Sequence, residues 1–106
     1  MDLAQKVCRA CEGWEKPFTK IESQKYLKHV NNWSLVESTI EREFKFKNFK
    51  QALDFVNKVG EIAESEGHHP DIYLHGWNKV KLILSTHAIK GLSENDFIIA
   101  AKIDKI

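Results

Sequence analysis

Four of the five histidines fall between positions 68 and 87 of this 106-residue chain. His68 and His69 stand side by side before Pro70, His75 follows, and His87 closes the segment. An imidazole has an ordinary pKa of about 6.5, so near neutrality one ring can act as a base while its neighbour acts as an acid. Two or three of them in one cleft suit a reaction that removes one proton from a substrate and donates another to a leaving group. Each residue also has a plainer reading. His68 and His69 can be polar loop residues, His87 a solvated strand end, and His75 and Glu64 surface groups. Asp96, three residues after Ser93, fits the acid of a helix-capping box. Glu64, His68, His69 and His87 include zinc-ligand types. Adjacent histidines on an extended loop point in different directions, however, and the H-E-x-x-H spacing is absent, so no metal is expected.

The elements that must position these residues are legible from periodicity. Residues 49–66 repeat apolar side chains at helical spacing through Phe49, Ala52, Leu53, Val56, Val59, Ile62 and Ala63. Asn48 with Gln51 fits the start of that helix and Gly67 its stop. His68 and His69 then emerge directly from a helix end, with Glu64 one turn earlier. Residues 39–47 alternate, with Ile40, Arg42, Phe44 and Phe46 on one face and Glu41, Glu43, Lys45 and Lys47 on the other, which predicts a half-buried antiparallel strand. Residues 72–75 and 77–87 predict two more strands around a bend at Gly76, with Val80, Leu82 and Leu84 facing inward and His87 at the strand end. A short helix over 19–30 capped by Thr19, a short strand near 33–36, and a last helix capped by Ser93 complete the order. Residues 1–18 read as irregular. The expectation is one α+β domain over residues 1–106: a two-layer structure with an antiparallel four-stranded sheet and about three helices on one face. A loop after a helix and the end of a strand can converge on one cleft in such a fold. The last helix carries Phe97, Ile98, Ile99, Ala100, Ala101, Ile103 and Ile106, apolar nearly all round, which predicts that it packs against a second chain as well as its own sheet.

Composition narrows the function classes. Lys and Arg total 16 against 15 Asp and Glu, a net charge of +1, which argues against a nucleic-acid partner. Lys45, Lys47 and Lys50 lie among aromatics, but Glu41 and Glu43 share their strand's charged side. No apolar run approaches the roughly 20 residues of a membrane helix. No secretory signal is visible at the start, so a cytoplasmic location is expected. Nucleotide-binding glycine motifs and the G-x-S-x-G elbow are absent. Cys8 and Cys11 form one C-x-x-C, half of a structural zinc site, and read first as two reduced thiols without a catalytic role.

The combination His68-His69-Pro70, Asn78-Lys79-Val80, Ser85-Thr86-His87 and Gly91-Leu92-Ser93-Glu94 with Asp96 resembles the pterin-4a-carbinolamine dehydratases. The resemblance extends upstream through TIEREFKFKNFKQALDFVNKVGEIAE, Trp33 and the C-x-x-C-E-G start, so it spans essentially the whole chain. Two departures are visible: Asn32 stands where a Gly often precedes the Trp, and the turn at His75 and Gly76 is one residue longer than in the animal-type pattern. The resemblance implies loss of water from 4a-hydroxytetrahydropterin to give quinonoid dihydropterin, in recycling tetrahydrobiopterin, with no cofactor. It implies His68, His69 and His87 as catalytic residues. It implies pterin contacts from Gly67, His68, His69, Pro70, Ser85, Thr86, His87 and Ala88. Glu64 and Asp96 then stand behind the imidazoles and orient them. It further implies a homodimer or homotetramer. The competing class is a non-enzymatic oligomerisation or transcriptional-cofactor-like module using the apolar last helix.

Overall fold

The computed structural model describes residues 2–10, 13 and 15–106. Cys11, one half of the C-x-x-C, lies outside the described residues. The first short helix, α1 (Lys20–Leu27), opens with Thr19 accepting from the Glu22 N–H at 3.2 Å while the Glu22 carboxylate accepts from the Thr19 N–H at 2.9 Å. This reciprocal pair satisfies two donors that the first helical turn leaves without partners. Strands β1 (Ser34–Val36) and β2 (Thr39–Lys45) follow, then the long helix α2 (Phe49–Glu66), strands β3 (Asp71–His75) and β4 (Lys79–Leu84), and helix α3 (Glu94–Ile103). The four strands form one antiparallel sheet in the order β1-β2-β4-β3. It is the α+β arrangement expected from the sequence.

The alternation along β2 and β4 decides which face of the sheet is covered. Ile40, Val80, Leu82 and Leu84 are completely buried against the helices. On the opposite face Glu41 pairs with Lys81 at 3.1 Å and Glu43 with His75. The first pair joins neighbouring strands and the second reaches across β4, so this is a polar, solvated face. Arg42 shares the apolar side of β2, as the alternation demands. Its guanidinium lies 4.3 Å from the Phe44 ring centroid and binds Asp104 at 2.7 Å. Asp104 also accepts from the Trp33 indole at 2.9 Å and the Asn31 N–H at 2.8 Å, tying the end of α3 to the entry into β1. Asn32 has φ 61°, a left-handed conformation that Gly and Asn tolerate better than most residues, which explains the exchange at this position.

Two sequence expectations need correction. Helix α2 buries Ala52, Phe55, Val59 and Ala63, whereas Phe49 and Leu53 are exposed. Phe55 turns the helix, because its ring packs 4.6 Å from that of Phe44 and 4.9 Å from that of Phe46. Helix α3 does not present an apolar face to a second chain. Phe97, Ile98, Ile99, Ala100, Ala101 and Ile103 are all buried within one chain, leaving Ile106 exposed beyond the helix end. The segment read as irregular supplies part of the cover, with Leu3 of the 3-10 turn Leu3–Gln5 buried in the same cluster. Phe18 and Tyr26 add rings 6.1 Å and 5.3 Å from that of Phe97.

Candidate active site

Register brings the histidines together. Asp71 pairs with Ile83, so the start of β3 lies beside the end of β4. The residues just before β3, His68 to Pro70, are therefore neighbours of those just after β4, Ser85 to Ala88. Two local devices aim the first group. Gly67 ends α2 in the left-handed region at φ 66°, where a side chain would be strained although nothing lies within 4 Å of a Cβ there. Pro70 then holds His69 toward extended backbone. The second group departs from the sequence reading. Strand β4 stops at Leu84, and His87 opens a 3-10 turn (His87–Ile89) rather than ending a strand. The turn is closed by Thr86 N–H donating to Gly91 O at 2.7 Å. Gly91 is required here, because a Cβ would meet Pro17 Cβ at 2.5 Å.

Gly67, His68, His69, Pro70, Asp71, Ser85, Thr86, His87 and Ala88 line one cleft of about 340 Å³. That volume falls within the roughly 300–1,000 Å³ usual for small-molecule sites. His75 lies elsewhere, at the end of β3 on the solvated face of the sheet.

The three cleft histidines differ in what holds them. His68 Nε2 lies 2.7 Å from Asp96 Oδ1. Asp96 is fully buried, and its Oδ2 accepts from the Thr86 hydroxyl at 2.8 Å and the Ser93 N–H at 3.0 Å. The residue thus both caps α3 and anchors His68. A carboxylate accepts, so Nε2 of His68 donates to Asp96, and Nδ1 is the nitrogen left for other partners. His69 Nε2 lies 2.5 Å from Glu64 Oε2, a pair formed as the chain folds back along the end of α2. Both side chains are largely exposed, at 57% and 79%, so solvent screens that pair. The His87 ring has no hydrogen bond or ion pair among the described residues and stands exposed at the cleft. The Thr86 carbonyl accepts from the Ile89 N–H at 3.2 Å and the Gly91 N–H at 3.4 Å, which closes the turn beside it.

The cleft has a wall that the sequence reading did not assign. Arg9 and Ala10 line it, together with Asn95. The Asn95 amide accepts from the Arg9 N–H at 3.0 Å and donates to the Arg9 carbonyl at 2.6 Å, clamping the N-terminal segment in place. Glu66 accepts from the Cys8 N–H at 2.8 Å. The available signal is faint: Asn95 is one of three polar residues, Glu94 to Asp96, in the first turn of α3, and its burial shows only in the fold. Burial, reinforced by the adjacent Glu66 carboxylate, pushes the Cys8 thiol up to about 12. A protonated, half-buried thiol is inert near neutrality. Among the described residues no three His, Cys, Asp or Glu side chains gather in a metal-holding group.

Residues 16–106 match the model of the family described as pterin 4 alpha carbinolamine dehydratase. The chain belongs to this family. A Methylococcus capsulatus relative is 48% identical across 98% of this chain and 92% of its own. The Arabidopsis thaliana protein named pterin-4-alpha-carbinolamine dehydratase 2, mitochondrial, is 44% identical over 99% of this chain and 59% of its own length. A Brucella melitensis crystal structure, titled transcriptional coactivator/pterin dehydratase, superposes with a TM-score of 0.79 at 32% identity, covering 85% of this chain and 97% of that one. A pterin dehydratase-like protein identified as a RuBisCO assembly factor in the alpha-carboxysome shares the fold, with a TM-score of 0.60 at 23% identity over 71% of this chain and 88% of that one.

Proposed function

We propose that this protein dehydrates 4a-hydroxytetrahydropterin to quinonoid dihydropterin, acting as a hydro-lyase in tetrahydrobiopterin recycling. The observation that carries the reading is the convergence of His68, His69 and His87 on one cleft. In the reaction the C4a–O bond breaks, the oxygen leaves as water with a donated proton, and the N5 hydrogen passes to a base. Electrons stay within the pterin, so the step needs no redox cofactor. His68 and His87 share the acid and base roles. His68 acts through Nδ1, because Asp96 occupies Nε2. His69, with Glu64 behind it, holds the pterin ring. Gly67, Pro70 and the main chain of Ser85, Thr86 and Ala88 form the remaining pterin contacts. A cytoplasmic homodimer or homotetramer belongs to the same reading, with sheet edges rather than α3 as the contact. No helix among the described residues is long and apolar enough to cross a membrane.

The test is rapid-mixing absorbance of freshly prepared 4a-hydroxytetrahydropterin with the purified protein, with and without chelator. Acceleration above the spontaneous rate, indifferent to chelator, is expected. A folded protein that adds nothing to the spontaneous rate refutes the enzyme and favours an interaction module. The coactivator designation of the Brucella melitensis structure motivates that alternative. Its surface would have to be other than α3, which is already covered.

A further inference from the structure

We propose that the Thr86 hydroxyl is a positioning group for His68, acting through Asp96. The hydrogens around this cluster can be assigned by counting donors. Asp96 Oδ2 accepts, so the single hydroxyl hydrogen of Thr86 is spent on it at 2.8 Å. Thr86 Oγ1 also lies 2.8 Å from Ser93 Oγ. Because the Thr86 hydrogen is committed, Ser93 donates to Thr86. The chain therefore runs in one direction, from the Ser93 hydroxyl to the Thr86 hydroxyl to Asp96 Oδ2. Asp96 Oδ1 is left to accept from His68 Nε2.

Burial makes this arrangement consequential. Asp96 is 0% exposed and Thr86 3% exposed, so no water can readily replace the hydroxyl. The side chain of Thr86 is held in turn by its main chain, fixed on both sides by Gly91. Thr86, beside the Ser93 N–H that donates to the same oxygen at 3.0 Å, thus fixes the rotation of the carboxylate that keeps the hydrogen of neutral His68 on Nε2 and the lone pair on Nδ1. Its contribution to the cleft is the setting of that tautomer.

The experiment compares Thr86→Val and Thr86→Ser with the unaltered protein. Nitrogen-15 NMR of the ring reads the His68 tautomer directly and does not depend on turnover. The Nε2–H signature is expected in the unaltered protein, a mixture of tautomers in Thr86→Val, and recovery in Thr86→Ser. The activity arm rests on the dehydratase reading. There kcat should fall about 10–100-fold in Thr86→Val, the usual range for groups that orient a functional ligand, with KM unchanged and most of the loss restored by Thr86→Ser. If Thr86→Val does not fold, Thr86→Ala carries the same comparison. His68 signals that stay unchanged in a folded variant lacking the hydroxyl overturn the proposal. An unaltered protein with no dehydratase activity refutes the functional reading, while the NMR comparison still decides the role of Thr86.

Discussion

His87 offers the sharpest separation between folding and chemistry. Its ring is exposed at the opening of a 3-10 turn and makes no hydrogen bond or ion pair among the described residues. Removing an exposed side chain without partners changes stability by no more than about 0.5 kcal/mol. The turn itself is held by main-chain bonds from Thr86, Ile89 and Lys90, none of which uses the imidazole. If His87 is one of the two proton-transfer groups, its loss removes a factor of roughly 10²–10⁴. At about 1.4 kcal/mol per tenfold, that is about 3–5 kcal/mol of transition-state stabilisation. His87→Ala should therefore melt with the unaltered protein and lose most of the enzymatic increment. The increment is measured by stopped-flow absorbance after subtracting the spontaneous dehydration. A His87→Ala protein that retains full catalysed rate refutes the assignment. A variant that loses rate only in proportion to lost folded protein refutes the claim that the ring serves chemistry alone.

Other perturbations test the frame around the site. Asp104→Ala strands the Asn31 amide, the Trp33 indole and the Arg42 guanidinium together. Chemical denaturation should register a loss of about 3 kcal/mol, since each buried unsatisfied group costs roughly 1–3 kcal/mol and some regain water. Gly67→Ala places a Cβ at φ 66° in open space, so the cost is backbone strain of about 1–2 kcal/mol rather than a clash, and Gly67→Asn should lose less in the same melt. Cys8, pushed up to about 12 chiefly by burial, should resist iodoacetamide at pH 8 until the protein is unfolded. A thiol whose folded pKa is raised stabilises the fold below its ordinary value near 9, and that contribution drains away as pH climbs toward about 12. Urea midpoints across that range should fall more steeply in the unaltered protein than in Cys8→Ala.

What could be read beforehand depended on whether local pattern or long-range contact decided the outcome. Helix α2 was bounded correctly at Phe49 and Glu66 because Asn48 and Gly67 act within one turn of their own helix. Its buried face is rotated from the periodic stripe, with Phe49 and Leu53 exposed and Phe55 buried, because Phe55 finds Phe44 and Phe46 across the fold and periodicity does not register those partners. The apolar girth of α3 is legible in the sequence, but its cover within the same chain is not. Part of that cover comes from Leu3, Phe18 and Tyr26, residues remote in sequence with no strong pattern of their own.

The site divides in the same way. His68, His69 and His87 were visible as a cluster in sequence, and the pairing of Asp71 with Ile83 is what turns that cluster into a cleft. Asp96 was legible as a cap, since its partner Ser93 is three residues away. Its second partner, His68, is 28 residues away, and that contact makes the cap part of the chemistry. One buried carboxylate thus links the start of α3 to the histidine before β3. The capping acid has two unequal demands on it: the helix needs only an acceptor for the Ser93 N–H, whereas His68 needs that acceptor at a fixed rotation. An Asn at position 96 could still accept from Ser93 through its carbonyl oxygen. Its amide would then face His68 Nε2 with a donor, forcing the ring to the opposite tautomer. Asp96→Asn should for that reason keep the helix and lose the enzyme, and circular dichroism beside the dehydration assay would show whether the two demands separate.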